Sequence, residues 1–174
     1  MSAQSSNGPH TTATTGACIE SVNVNPEGGA PKYPVERIEV TLDRVVGDRH
    51  NDTADHGGPY RAVSMYSADL IAALADEGHP VVAGSLGENL TIRGLQWDEI
   101  GVGDRVAAGE VVLQVTGYAS PCHKIAASFR DGWFARVSQK VHPGWSRLYA
   151  RVLEGGAIHR GDRVIRLEMD GGEH

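Results

Sequence analysis

Apolar and polar residues alternate along much of this chain. In "CIESVNVN", starting at Cys18, and "VERIEVTL", starting at Val35, β-branched residues recur with the period of half-buried strands. The Gly/Pro-rich run between them, "PEGGAPKYP", predicts a loop. "RAVSMYS" predicts a further short strand, "RVAAGEVVLQVTG" a hairpin turning at Ala108–Gly109, and "RVIRLE" a last strand. In "GWSRLYARVLEGG", Leu148, Ala150 and Val152 alternate with Arg147, Tyr149 and Arg151, which predicts a strand with one apolar and one cationic face.

Helical spacing is clear in one place, "SADLIAALADEGH". There Ser67 fits an N-cap, Leu70, Ile71 and Leu74 form the apolar stripe, and Gly78 ends the helix. A second helix is predicted from Pro121 through "HKIAASF", which places Cys122 in its first turn. The tripeptide "GDR" begins at Gly47, Gly103 and Gly161, in each case where a turn can feed or end a strand. Many short strands between Gly-rich turns make the chain mainly β, a closed or half-open β-barrel with a few short α-helices.

Composition narrows the picture. A chain of 174 residues fits one domain, and 40% hydrophobic content is compatible with a folded core. The folded unit is expected over residues 17–168, between a Ser/Thr-rich arm (1–16) and a polar tail (169–174), both expected to be mobile. A net charge of −6 argues against general nucleic-acid or anionic-membrane binding, though a local basic pocket is compatible with it. No apolar run reaches membrane-spanning length, and the N-terminus lacks signal-peptide order. The two cysteines, Cys18 and Cys122, are expected as reduced thiols of a cytoplasmic protein.

Three segments carry candidate chemistry. "GDRHNDTADHGGPYRAVSMY" crowds His50, Asp52, Asp55 and His56, a possible metal cluster whose spacing matches no standard zinc or calcium pattern. Alternatively, Gly57 and Gly58 let the backbone approach a ligand that His56 and Arg61 hydrogen-bond, or the segment is simply a tight turn. "AGSLGENLTIRGL" brackets Ser85 and Leu86 between Gly84 and Gly87, then supplies Glu88 and Asn89. Such a loop can cradle an anion on backbone N–H groups or cap its own neighbours, but it is not a P-loop. In "GYASPCHKI", Pro121, His123 and Lys124 surround Cys122 with features that favour a thiolate, whereas a buried small hydrophobe is the competing reading. Cys18, within a strand pattern without polar company, reads as buried, and His142, before a proline, as a turn residue.

Taken together, these residues resemble the MOSC family, the molybdenum cofactor sulfurase C-terminal domain. The matching segments are "GAPKYPV", "GDRHNDTADHGGPYRAV", "GSLGENLTIRGL", "IGVGDRVAAGEVVLQV", "SPCHKI" and "GWSRLYARVLEGGAIHRGDRV", in family order over roughly residues 17 to 168. The resemblance implies a β-rich barrel that handles molybdenum cofactor (molybdopterin) or sulfur, with Cys122 binding molybdenum or carrying a persulfide. His56, Gly57, Gly58, Arg61, Gly87, Glu88, Asn89, Lys124, Arg147 and Arg151 are then the candidate cofactor-binding residues. The chain looks like the short bacterial type, some of which protect against N-hydroxylated bases. It departs from that type's usual Pro-Arg with Tyr118 and Ala119 in "GYASPC".

The implied function is a molybdenum-cofactor-dependent reductase or sulfur-transfer enzyme acting on small N-hydroxylated compounds, with an electron- or sulfur-donor protein as partner. The alternative is a non-catalytic carrier that passes cofactor or sulfur to a partner. A zinc hydrolase built on His50, His56 and Cys122 is a third reading. Pyridoxal phosphate, held by a preceding domain in the long sulfurases, is not expected in this chain.

Overall fold

The alternating segments do become strands. The computed structural model describes residues 16–49 and 58–168. Its strands are β1 (Cys18–Val24), β2 (Tyr33–Val35), β3 (Arg37–Val40), β4 (Val63–Ser67), β5 (Leu90–Arg93), β6 (Arg105–Ala108), β7 (Val111–Ala119), β8 (Arg147–Glu154), β9 (Gly156–His159) and β10 (Val164–Leu167). Eight of them form one mixed sheet in the order β10-β6-β7-β8-β4-β5-β1-β2, and β3 pairs with β9 in a second sheet.

The large sheet curls back on itself without closing through a ladder. Ile19 N–H donates to Asp162 C=O at 2.8 Å, Gly161 N–H to Ile19 C=O at 2.8 Å, and Val164 N–H to Ala17 C=O at 3.0 Å. A single bridge, Cys18 to Arg163, joins β1 to the approach of β10. The fold is a half-open barrel, as the strand pattern predicts. Its interior is filled by apolar side chains, among them Ile19, Met65, Tyr66, Leu90, Leu113 and Leu148.

Two predicted elements differ. "VERIEVTL" does not run as one strand, because the chain changes sheets at Glu36. Val35 pairs with Val22 of β1, whereas Ile38 pairs with Ile158 of β9. The apolar phase slips at this point, since Glu36 and Arg37 are both polar between Val35 and Ile38, and that slip marks the break. The strand β2 also takes its first residues, Tyr33 and Pro34, from the predicted loop.

The second predicted helix is a 3₁₀ turn over His123–Ser128, with Cys122 at its N-cap in extended backbone rather than inside a first α-turn. Two further 3₁₀ turns follow, Arg130–Gly132 and Phe134–Val137. Asp131 (φ 58°) and Gly132 (φ 68°) take left-handed conformations that no α-helix can propagate through. Buried Ile125 and Phe129 anchor the run to the core.

The predicted helix α1 spans Ala68–Asp76. Ser67 caps it by accepting from Leu70 N–H at 3.1 Å, Ile71 and Leu74 face the core, and Gly78 lies just beyond the end at φ 98°. This helix carries the chain from β4 to β5, which pair in parallel with Met65 opposite Leu90. The end of α1 also ties down the 3₁₀ region. Arg136 donates twice to Glu77, at 2.9 and 2.8 Å, and lies 3.9 Å above the Trp145 ring, while Arg130 N–H donates to His79 Nδ1 at 3.0 Å. No helix among the described residues is long and apolar enough to cross a membrane.

The Ser67 hydroxyl satisfies an orphan N–H at the start of α1. Ser67→Ala is expected to lower unfolding free energy by about 1 kcal/mol, measured by urea denaturation, with Ser67→Asp close to the parent.

Candidate functional site

The cationic face of β8 and the end of β7 build one side of a cleft. β7 and β8 pair from Val112–Glu154 to Ala119–Arg147, so Arg147 sits beside the residues that lead to Cys122. A bulge at Thr116 interrupts this ladder between Val115 and Gly117. The extra residue bends β7, and the Thr116 hydroxyl donates to the Tyr60 carbonyl. Past the bulge, "SPC" leaves the sheet and presents Cys122, half-buried, to the cleft.

The opposite wall comes from two glycine-containing loops. Gly84 has φ 84°, and a Cβ there would lie 2.2 Å from the Lys32 carbonyl, so only glycine allows the two backbones to meet. Lys32 N–H in turn donates to Gly84 C=O at 2.8 Å. Gly29, Ala30, Leu86 and Gly87 complete this wall, and Lys32, Arg49, Ser64, Ser120, Lys124, Ile125 and Tyr149 also line the cleft. Its volume is about 100 Å³ and it is half open to solvent. A tetrahedral oxyanion or a metal with its oxo ligands fits in it.

Among the described residues, charge lining the cleft has one sign: four cations and no carboxylate. Arg147 is the most constrained of them. It is 8% exposed, donates to Leu86 C=O at 2.8 Å and at 3.5 Å to Ser120 C=O, and its Nε is buried without a hydrogen-bond partner. Carbonyl oxygens orient a guanidinium without cancelling its charge, which leaves Arg147 suited to an anion. Lys32 differs, because both oxygens of Asp48 hold its ammonium at 2.8 Å.

Glu88 and Asn89 stand behind the wall. Both are fully buried. Glu88 Oε2 accepts from Gly84 N–H at 2.9 Å and from Thr91 Oγ1 at 2.8 Å, which fixes the loop that orients Arg147. Its Oε1 has no partner, and burial pushes its pKa up. Asn89 Oδ1 accepts from Ser64 N–H at 3.1 Å, and its Nδ2 donates to Asn23 C=O and to Asp48. These two residues shape the cleft from beneath rather than line it.

The other predicted residues divide likewise. Cys122, Gly87, Lys124 and Arg147 meet in the cleft. Arg61 lies 5.2 Å over the ring of Tyr149, a lining residue, and so stands at the rim. Arg151 turns away toward Gln114, at 2.9 Å, and the exposed Tyr60 ring, at 6.0 Å. Gly58 precedes the turn Pro59–Arg61, and His56 and Gly57, like His50, Asp52 and Asp55, lie outside the described residues. Among the described residues no cluster of three metal-ligating side chains occurs. Cys18 is a free, half-buried thiol on β1 opposite Arg93, more exposed than its strand pattern predicts, and the Cys122 thiol is likewise free.

Lys32 and Arg49 went unmarked in the sequence. A signal was there: Lys32 is the lone charge in "GAPKYPV", and Arg49 closes the first "GDR".

A family model described as the MOSC domain matches residues 52–165. The chain belongs to the MOSC domain family. It is 32% identical over 143 residues to uncharacterized protein YflK of Bacillus subtilis (strain 168), covering 81% of this chain and 64% of that protein. It is also 32% identical over 114 residues to protein YiiM of Escherichia coli (strain K12), covering 63% of this chain and 50% of that one. The chain thus spans less than two thirds of the length of these MOSC relatives. Among solved structures, YiiM from Geobacillus stearothermophilus superposes with a TM-score of 0.67 at 27% identity, covering 90% of this chain and 77% of that one. The YuaD protein from Bacillus subtilis reaches 0.67 at 16% identity, covering 88% and 97%, a likeness of fold.

Glu88 gives the MOSC cleft a pH signature. With its folded pKa raised, the folded state keeps a proton that the unfolded chain releases, so this contribution is complete below the usual carboxylate range and is lost as pH rises through the folded value. Glu88→Gln keeps the acceptor for Gly84 and Thr91 and has no proton to lose. As pH rises above the usual carboxylate range its unfolding free energy is expected to fall less steeply than the parent's in urea titrations; parallel slopes would mean that Glu88 is not held protonated by the fold.

Proposed function

We propose that this MOSC protein binds molybdenum cofactor in the Lys32–Arg147 cleft and uses it to reduce small N-hydroxylated compounds. The observation that carries this reading is the meeting, in one open cleft, of a free cysteine with four cations and, among the described residues, no carboxylate. The residues fit the group on their chemistry. A thiolate is a soft ligand suited to a thiophilic metal, and buried, uncancelled Arg147 suits oxo or phosphate oxygens.

In this reading Cys122 would hold the metal through its sulfur, while Arg147, Arg49, Lys32 and Lys124 would hold the anionic oxygens. When bound, the molybdenum centre supplies two-electron redox chemistry at a Lewis-acidic site. The protein's own contribution is placement. The β7 bulge aims the Cys122 segment at the cleft, and the Leu86 and Ser120 carbonyls fix the direction of the guanidinium. The apolar lining of Leu86 and Ile125 lowers the local dielectric and strengthens each charge contact. Reduction of an N–OH to an N–H consumes two electrons and two protons and releases water, so an external electron donor is part of the proposal.

The test is the molybdenum and pterin content of protein purified from a cofactor-producing host. Cys122→Ala is expected to lose molybdenum by at least about tenfold with an unchanged melting temperature. Equal content in both proteins would remove Cys122 from the ligand role. Parent protein supplied with a chemical reductant is expected to turn over an N-hydroxylated base repeatedly. Single stoichiometric delivery of cofactor to an acceptor would instead favour a carrier.

A further inference from the structure

The three "GDR" turns are alike in backbone and unlike in use. Gly47, Gly103 and Gly161 all have φ near 90° (89°, 98° and 91°), and the aspartate that follows each accepts a main-chain N–H. Asp104 accepts from Gly101 and, in a half-exposed pair, from Arg166 at 3.2 Å, and Asp162 accepts from His159. Asp48 accepts from Asn25 N–H at 2.8 Å but goes further. Its two oxygens take the Lys32 ammonium at 2.8 Å each, and Oδ2 also takes Asn89 Nδ2 at 2.9 Å. The Asp48 side chain is 1% exposed and that of Lys32 6%, yet Lys32 lines the cleft.

We infer that Asp48 is a positioning residue that holds Lys32 ready to bind a tetrahedral oxyanion in the cleft. This rests on the anion-binding part of the proposed function and deepens it. An ammonium has three donors, and two are engaged by Asp48, which leaves one to serve the cleft. Asp48 itself cannot swing, because Asn25 and Asn89 hold it from two further directions. A free lysine side chain loses on the order of 1.5–2 kcal/mol of rotamer freedom when it is ordered. Here that ordering is complete before any ligand arrives, which is how preorganisation raises affinity. Asp48 also cancels the Lys32 charge. It therefore works by geometry against its own electrostatic effect, and the two can be measured separately.

Geometry is read by orthophosphate affinity of the full chain, by calorimetry at fixed salt. Charge is read by the rate ratio of iodoacetate to iodoacetamide at Cys122, resolved from Cys18 by peptide mass spectrometry. Asp48→Asn is expected to bind phosphate at least about fivefold more weakly while the ratio rises roughly twofold, since a negative charge has gone. Asp48→Glu keeps the charge and changes the reach, so phosphate weakens while the ratio stays at the parent value. A general loss of structure would not move the two readouts in opposite directions. Phosphate affinity in Asp48→Asn equal to or tighter than the parent's overturns the positioning role and leaves Asp48 a counter-charge. Where the Asn variant does not fold, the Glu variant decides in the same way. A parent that binds no phosphate overturns both this inference and the anion-binding reading beneath it, whereas a parent that binds phosphate with unaffected Asp48 variants overturns this inference alone.

Discussion

A guanidinium held inside the protein by carbonyl oxygens is the constraint around which the cleft is arranged. Burying an unpaired charge is costly, and a protein tolerates it only where polar groups surround it in fixed positions. Arg147 has the Leu86 and Ser120 carbonyls for this purpose, one from each wall. Both walls must therefore be rigid. On one side the β7–β8 ladder supplies that rigidity, and on the other the loop from Gly84 to Asn89, pinned by buried Glu88 and by contact with Lys32.

Several features that look decorative in isolation follow from this demand. The absence of a Cβ at Gly84 lets the loop touch the Lys32 backbone. Glu88, kept toward its neutral form by burial, fixes the loop without putting a full negative charge beside Arg147. Asp48 is ionically satisfied by Lys32, so its charge is spent inside the wall rather than in the cleft. The outcome is a positive pocket in a protein of net charge −6, with a free thiol at its edge. A long-range field from the acidic surface repels anions, but it is screened over about 10 Å in salt, while contacts inside a partly dry cleft are not.

The region that carries Cys122 depends on contacts far from the sheet. Its successive 3₁₀ turns have only short-range backbone hydrogen bonds of their own, and they are fastened to the rest of the fold by Arg136 to Glu77 and by Arg130 to His79 at the end of α1. The Arg136 guanidinium holds the Glu77 carboxyl below its usual range, so this fastening weakens on acidification, as the carboxylate is protonated below that range. Glu88 responds to pH in the opposite sense, because burial rather than an ion pair dominates there. The fastening of the 3₁₀ region and the buried Glu88 behind the loop thus have opposite acid–base dependence.

Much of this was legible along the chain. Period-two alternation located β1, β4, β6, β7, β8 and β10, and the Ser67 cap with the Leu70, Ile71 and Leu74 stripe located α1, because both patterns are local. The ordered motifs around Cys122 gave the family. Other features depended on partners distant in sequence. The change of sheet at Glu36 depends on β9, the 3₁₀ turns after Cys122 are fastened to distant Glu77 and His79, and burial of Glu88 and Asn89 behind the wall follows from partners such as Asn23 and Ser64. Lys32 joined the site only because Asp48 and Gly84 meet it in space. Residue type and period fix what a segment can become, whereas the choice of which polar group faces a ligand is made by long-range packing, which no local pattern records.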